Sequence, residues 1–272
     1  MGSLRNWRAT LAPIVVGLVL VAAGARPAMA DDDADSVQEP PPVRPAAQPL
    51  RTPDFLLGAP RAWISLRGSL LFPRAGGDLF AFVTDQLTLD RADLRAAGFA
   101  ADLGIVLGPS FDLVAGIDLT RREAGSEYRR LVASNRQPIE QFTRLNQSAV
   151  SAGVRFSPLG RGRRISQYAF IPRRLTPHAG AGLTLTFARF AQRGQFVDFA
   201  DNAIFTDQFT SSGWTAGPYV NGGVDLQVWK RLYVSVEGRY SRLHADLSDD
   251  FRGFDGLDLT GFRAGTGISV VF

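Results

Sequence analysis

The chain has 272 residues, no cysteine, 45% hydrophobic and 21% charged residues, and a formal net charge of +4. Without cysteine, disulfides, thiolate metal sites and cysteine nucleophiles are excluded together. Arg5, Arg8 and Arg26 lie in the first 30 residues with no acid, so losing that segment takes +4 down by 3 to +1 and removes any electrostatic case for a nucleic-acid partner.

Residues 1–30 read as a cleaved secretory signal peptide. Arg5 and Arg8 form the positive start, residues 11–25 an apolar run too short and glycine-broken to span a bilayer, and Ala28-Met29-Ala30 the small-x-small cleavage site. The mature chain is expected to begin at Asp31. Residues 31–61 are acidic, then proline-rich, and predict a disordered periplasmic lead-in that buries no core. No later stretch approaches the length of a transmembrane helix, which excludes a helical membrane protein and leaves a strand barrel open.

From residue 62 the apolar residues recur with a period of two, the mark of a β-strand. The first segment, 62–72, sets Ile64, Leu66, Leu70 and Phe72 against Ser65, Arg67 and Ser69. The second, 98–107, sets Leu103 and Ile105 against Asp102 and Gly104; the third, 111–120, sets Leu113, Ile117 and Leu119 against Asp112, Gly116 and Asp118. The fourth, 148–156, opposes Val150 and Val154 to Ser151 and Arg155. The fifth (177–190) and sixth (213–229) present Leu183, Leu185, Val220 and Leu226 on the apolar side, with Tyr219, Asn221 and Asp225 opposite in the sixth. The seventh starts at Leu232 and puts Glu237 and Arg239 opposite Val234 and Val236. Each is near the roughly ten residues a tilted strand needs to cross the hydrocarbon.

The last segment, 257–272, has Phe262, Ile268, Val270 and Phe272 on one face and Arg263, Gly265, Gly267 and Ser269 on the other. A strand ending on an exposed aromatic would be a sticky edge in water, whereas against lipid the alternation is natural. The closing Gly267-Ile268-Ser269-Val270-Val271-Phe272 resembles the C-terminal signal of bacterial outer-membrane barrels, although Gly265 stands where that signal usually has a polar residue. The chain thereby resembles the small eight-stranded outer-membrane barrels of Gram-negative bacteria, of the OmpA transmembrane, OmpX and OmpW type. The expected fold is all-β: an eight-stranded antiparallel up-and-down transmembrane β-barrel with short periplasmic turns and long extracellular loops. The resemblance implies assembly by the outer-membrane insertion machinery, reading Gly267, Val270 and Phe272, but it carries no specific activity.

The connections fit this topology. Residues 108–110 and 230–231 are short; 73–97, 121–147, 191–212 and 246–256 are long and polar. Residues 157–176 break the rule, being long where a periplasmic turn belongs, with Arg161, Arg163, Arg164, Arg173 and Arg174 among Tyr168 and Phe170. Phe111, Phe156, Trp229 and Phe272 fall at the periplasmic ends and Phe72, Phe187, Trp214, Tyr240 and Phe262 nearer the outer ends, as two interfacial belts.

The candidate site is the interior. Arg67, Arg155, Arg239 and Arg263 face Asp102, Asp112, Asp118, Asp225 and Glu237, four bases against five acids, and so small a barrel leaves room only for its own side chains. These charges are expected to pair, since a lone buried charge is very costly. The expected role is structural or surface-interacting. The alternatives are a narrow channel for small or hydrophobic solutes and an outer-membrane lipid-modifying enzyme. The enzyme alternative suffers because His178 and His244 belong to opposite membrane faces. The acidic, aromatic loop residues around Asp198 to Asp207 and Asp246 to Asp255 predict solvated loops rather than Ca²⁺ sites. No cofactor or metal is expected; the partners are outer-membrane lipid and lipopolysaccharide, and the state monomeric.

Overall fold

The computed structural model describes residues 55–133, 136–198, 203–247, 249–251 and 253–272. The signal-peptide segment, with Ala28 and Ala30, and most of the lead-in lie outside them. Within them the alternating segments form β1 (Ala62–Pro73), β2 (Ala96–Val106), β3 (Phe111–Val132), β4 (Pro138–Phe156), β5 (Leu175–Val197), β6 (Ile204–Gln227), β7 (Leu232–Ser241) and β8 (Gly261–Val271). Every neighbouring pair is antiparallel, and the order β7-β8-β1-β2-β3-β4-β5-β6 closes on itself. Closure satisfies every ladder and leaves no edge, the condition for crossing lipid with strands.

The alternation sets the two faces. Ile64, Leu103, Ile117, Val150, Leu185 and Val236 stand exposed on the outer wall, while Ser65, Asp102, Asp118, Ser151, Thr184 and Glu237 are buried inside. An apolar band of this extent belongs against lipid, not water. Aromatic pairs mark its limits: Phe111 and Phe156 lie 5.0 Å apart at the end with the short turns, and Phe72–Phe262 (6.4 Å) and Phe187–Trp214 (5.3 Å) at the end with the loops. The chain is an eight-stranded antiparallel up-and-down transmembrane β-barrel.

The seam between first and last strands runs the length of β8, and the terminal residue extends it. The Phe272 amide donates to the Ala62 carbonyl at 2.8 Å, and the Arg61 amide donates to the Phe272 carbonyl at 2.6 Å. Gly267 lies where β8 crosses closely over Arg67 of β1, and any Cβ there would collide with the Leu66 carbonyl and the Arg67 side chain. Val270 pairs with Ile64 along the same seam.

Three sequence expectations need correction. The stretches 121–147 and 191–212 are not loops. They extend β3–β4 and β5–β6 into tall hairpins of 22, 19, 23 and 24 residues per strand, about twice what the hydrocarbon requires. Their period of two persists but its sign inverts. Ala124, Leu145 and Phe190 face inward and are buried, while Glu127 and Arg193 face water, so the pattern is not that of a lipid-facing strand.

The second correction concerns residues 73–97, expected as a polar loop. They hold helix α1 (Asp78–Gln86) and a 3₁₀ turn at Arg91–Leu94. Leu79, Phe80 and Val83 sit on one helical face and bury against the tall wall, with Phe80 edge-on to Phe190 at 6.0 Å. The fourth loop joins them: His244–Ala245 pairs with Leu257–Asp258, and the Asp255 amide donates to Asp78 at 2.9 Å. Together they form an apolar core that caps the loop end.

The third correction concerns the turn end. Residues 157–176 are ordered by two short strands, Gly162–Arg164 and Ala169–Pro172, and Leu56–Leu57 of the lead-in pairs with the second of them. The lead-in is therefore structured from residue 55, because Leu56 and Phe170 pack with Trp63, Val114, Tyr233 and Val271 across the barrel mouth. Burying this apolar surface is what draws a proline-rich segment into place.

Candidate functional site

Between these two apolar caps the inward positions carry charge. All nine residues expected on parity face the interior: Arg67 on β1, Asp102 on β2, Asp112 and Asp118 on β3, Arg155 on β4, Asp225 on β6, Glu237 and Arg239 on β7, and Arg263 on β8. They divide into two groups by height.

In the middle of the barrel Arg67 pairs with Asp102 at 2.5 Å and with Glu237 at 2.6 Å. Arg239 reaches Asp118 at 3.1 Å, Glu237 at 3.3 Å and Asp102 at 3.5 Å, and its guanidinium lies 4.6 Å over the Tyr219 ring. Arg263 pairs with Asp118 at 3.3 Å. No carboxylate here has a single partner on its own strand alone, so the group ties β1, β2, β3, β7 and β8 across the lumen.

Nearer the turns, Arg155 pairs with Asp225, and Ser235 donates to the same carboxylate at 2.8 Å. Asp112 accepts from the indole of Trp63 at 3.3 Å and lies 4.0 Å from Arg155. Its main partner is one that strand parity does not supply. Arg161, from the connection after β4, turns into the barrel mouth and grips Asp112 with both Nε, at 3.1 Å, and Nη2. It stacks 5.7 Å over Trp63, as Arg155 does at 4.8 Å. With Arg161 the two groups together hold five arginines and five carboxylates.

His178 joins the two groups. The Arg155 guanidinium, which only donates, lies 2.9 Å from Nδ1, so Nδ1 accepts and the ring hydrogen belongs on Nε2. Nε2 in turn lies 3.6 Å from Glu237. His178 thus lies between Arg155 of the lower group and Glu237 of the middle one. Its inward parity on β5 was readable from sequence, as was that of Trp63 on β1; nothing in the pattern of residues 157–176 singled out Arg161 from its neighbours. Arg163, Arg164, Arg173 and Arg174 of that connection stay exposed.

Packing is tight. The void lined by Arg67, Asp118, Glu237, Arg239 and Arg263 measures about 10 Å³, as does the one beneath it lined by Trp63, Arg161, Asp225 and Tyr233. A void must reach roughly 10–15 Å³ to admit one water, so each of these has room for about one at most. Glycine makes the fit possible: a Cβ on Gly104 would overlap the Trp63 indole.

The remaining candidates do not assemble. His244 is exposed at the loop end, its Nε2 3.3 Å from the Asp255 carbonyl, and His178 is buried near the turns. Among the described residues no cluster of three His, Asp or Glu could hold a metal ion.

A closed eight-stranded wall, an apolar belt between aromatic girdles and a charged interior define a small β-barrel of the outer-membrane type, with the short turns after β2 and β6 at one end and the tall hairpins at the other. No family model and no curated protein matches the chain. Solved structures similar to it include the outer membrane protein OprG from Pseudomonas aeruginosa, at 10% identity over 80% of this chain and 98% of that one, with a TM-score of 0.48. Neisserial surface protein A is 12% identical over 78% and 97% (TM-score 0.41), and Ail, the attachment invasion locus protein of Yersinia pestis, 12% over 79% and 99% (TM-score 0.37). At these values the likenesses carry no ligand or activity across, and the barrel assignment rests on this chain's own strand order and belt.

Proposed function

We propose that the protein is an integral outer-membrane barrel of a Gram-negative envelope, sealed along its axis and serving a structural or surface-interaction role. The observation that carries this reading is the layer of five arginines and five carboxylates held between two apolar caps. A conduit would need polar groups lining free water, whereas here the charges are spent on one another. The tall β3–β4 and β5–β6 hairpins rise well past the apolar belt, so the wall that outlasts the membrane is the part presented to the cell's surroundings. The separation of His178 from His244 favours this role over lipid-modifying catalysis. Envelope fractionation tests it: the protein should appear in the outer-membrane fraction, migrate differently on gels before and after heating, and lose its hairpin tips to protease on intact cells. Recovery in the soluble periplasmic fraction would refute it.

A further inference from the structure

The outer wall carries a feature the interior does not explain. Where β8, β1, β2, β3 and β4 lie side by side, the lipid-facing row Thr266, Gly68, Phe99, Leu119 and Ser148 runs straight across the register. Gly68 and Ser148 in that row, with Ala97 and Ala264 just above it, are small, and they leave a depression of about 930 Å³. A second depression of about 360 Å³ continues toward the membrane centre past Phe99, sharing Gly68, Phe99 and Leu119 with the first. Phe99, 77% exposed, stands as the ridge between them.

The upper end of this furrow is cationic. Arg121 lines it, and across the register Arg121 pairs with Asn146 and Asn146 with Arg189. Two strand spacings put the arginines ~10 Å apart at their backbones. Higher on the same wall Arg144 and Arg193 share Glu123, but Arg121 and Arg189 have no acidic or hydrogen-bonding partner among the described residues. Between them the Asn146 side-chain oxygen is buried with no partner, an acceptor suited to a hydroxyl or amide N–H of a ligand rather than to its phosphate. The next row toward the membrane holds Phe187 and Trp214, so the arginines lie at headgroup level.

We propose that the furrow and the Arg121–Asn146–Arg189 row seat a phosphate-bearing glycolipid of the outer leaflet, with an acyl chain in the furrow and phosphate against the arginines. The proposal rests on the reading that this wall faces lipid. Two unpaired arginines beside an apolar furrow match an anionic headgroup on an apolar tail. A second copy of the chain fits poorly, since a symmetric contact on this face would bring four unpaired arginines together.

Native mass spectrometry of the barrel released from detergent, with added lipid A or its dephosphorylated form, tests this. The parent should retain lipid A at collision energies that strip the dephosphorylated lipid. The R121Q/R189Q variant should bind lipid A on the order of tenfold more weakly, the loss expected for charge-assisted hydrogen bonds. Gly68→Leu should also lose it: a Cβ there meets nothing within 4 Å, so the added side chain fills the furrow without disturbing the wall. Heat-modifiable migration of both variants establishes that they are folded. Equal retention of the two lipids by the parent, unchanged binding by R121Q/R189Q, or a protein dimer in place of the lipid adduct would each overturn the site. A parent that never becomes heat-modifiable in lipid would instead overturn the membrane reading, and the site with it.

Discussion

Arg161, from the connection after β4, binds Asp112 of β3, a residue 49 positions earlier, with Nε 3.1 Å from one carboxylate oxygen and Nη2 on the other. The bidentate grip anchors the connection after β4 inside the mouth it would otherwise cross.

Arg161→Gln should therefore destabilise the barrel. It leaves Asp112 buried, with the Trp63 indole and the more distant Arg155 as its remaining partners. Breaking a buried pair from one side costs on the order of 3–5 kcal/mol. Urea unfolding in lipid vesicles should show this loss, and an added Asp112→Asn change should recover part of it. Strictly additive effects would mean that the two residues do not depend on each other.

Glu237→Ala should destabilise the barrel by taking one carboxylate from both Arg67 and Arg239, which keep Asp102 and Asp118. A double-mutant cycle of Glu237 with Arg67 should give a coupling of roughly 1–3 kcal/mol. The cycle with Arg263 should give much less, because Arg263 pairs with Asp118. Equal coupling in both cycles would contradict this arrangement.

Phe80→Ala tests the loop-end core. Phe80 is fully buried and packs edge-on against Phe190 of the tall wall. Truncation of a buried phenylalanine typically costs about 3–5 kcal/mol. Here the cost should fall on the cap alone: protease should cut near residues 74–95 while heat-modifiable migration persists. Loss of the whole barrel would mean the cap and wall fold as one unit.

Removing Phe272 should slow membrane insertion and leave unfolded protein in the periplasm. The deletion removes the three backbone bonds that join Phe272 to Arg61 and Ala62 at the end of the β8–β1 ladder, besides the chain's terminal aromatic. Pulse-chase fractionation would show this; insertion at the parental rate would count against the signal.

The membrane part of the fold was legible because lipid enforces a simple rule, apolar outward and polar inward at every second residue. Ile64, Arg67, Val236 and Glu237 obey it, and strand boundaries there shift by only a few residues. Above the bilayer the solvent changes sides, and Ala124, Leu145 and Phe190 turn inward to meet α1, so a rule built on lipid reads these strands as loops. Arg161 escaped for another reason. One of five arginines in an irregular segment, it is distinguished only by where the chain folds, and Leu56 and Phe170, which hold that segment in place, are far apart in sequence.

Conductance across a planar bilayer tests the sealed interior most directly. With charges paired between two apolar caps and two voids of about 10 Å³ beside them, the unmutated barrel should pass little or no steady current. Large, stable, cation-selective currents from that protein would contradict the sealed barrel and make it a channel.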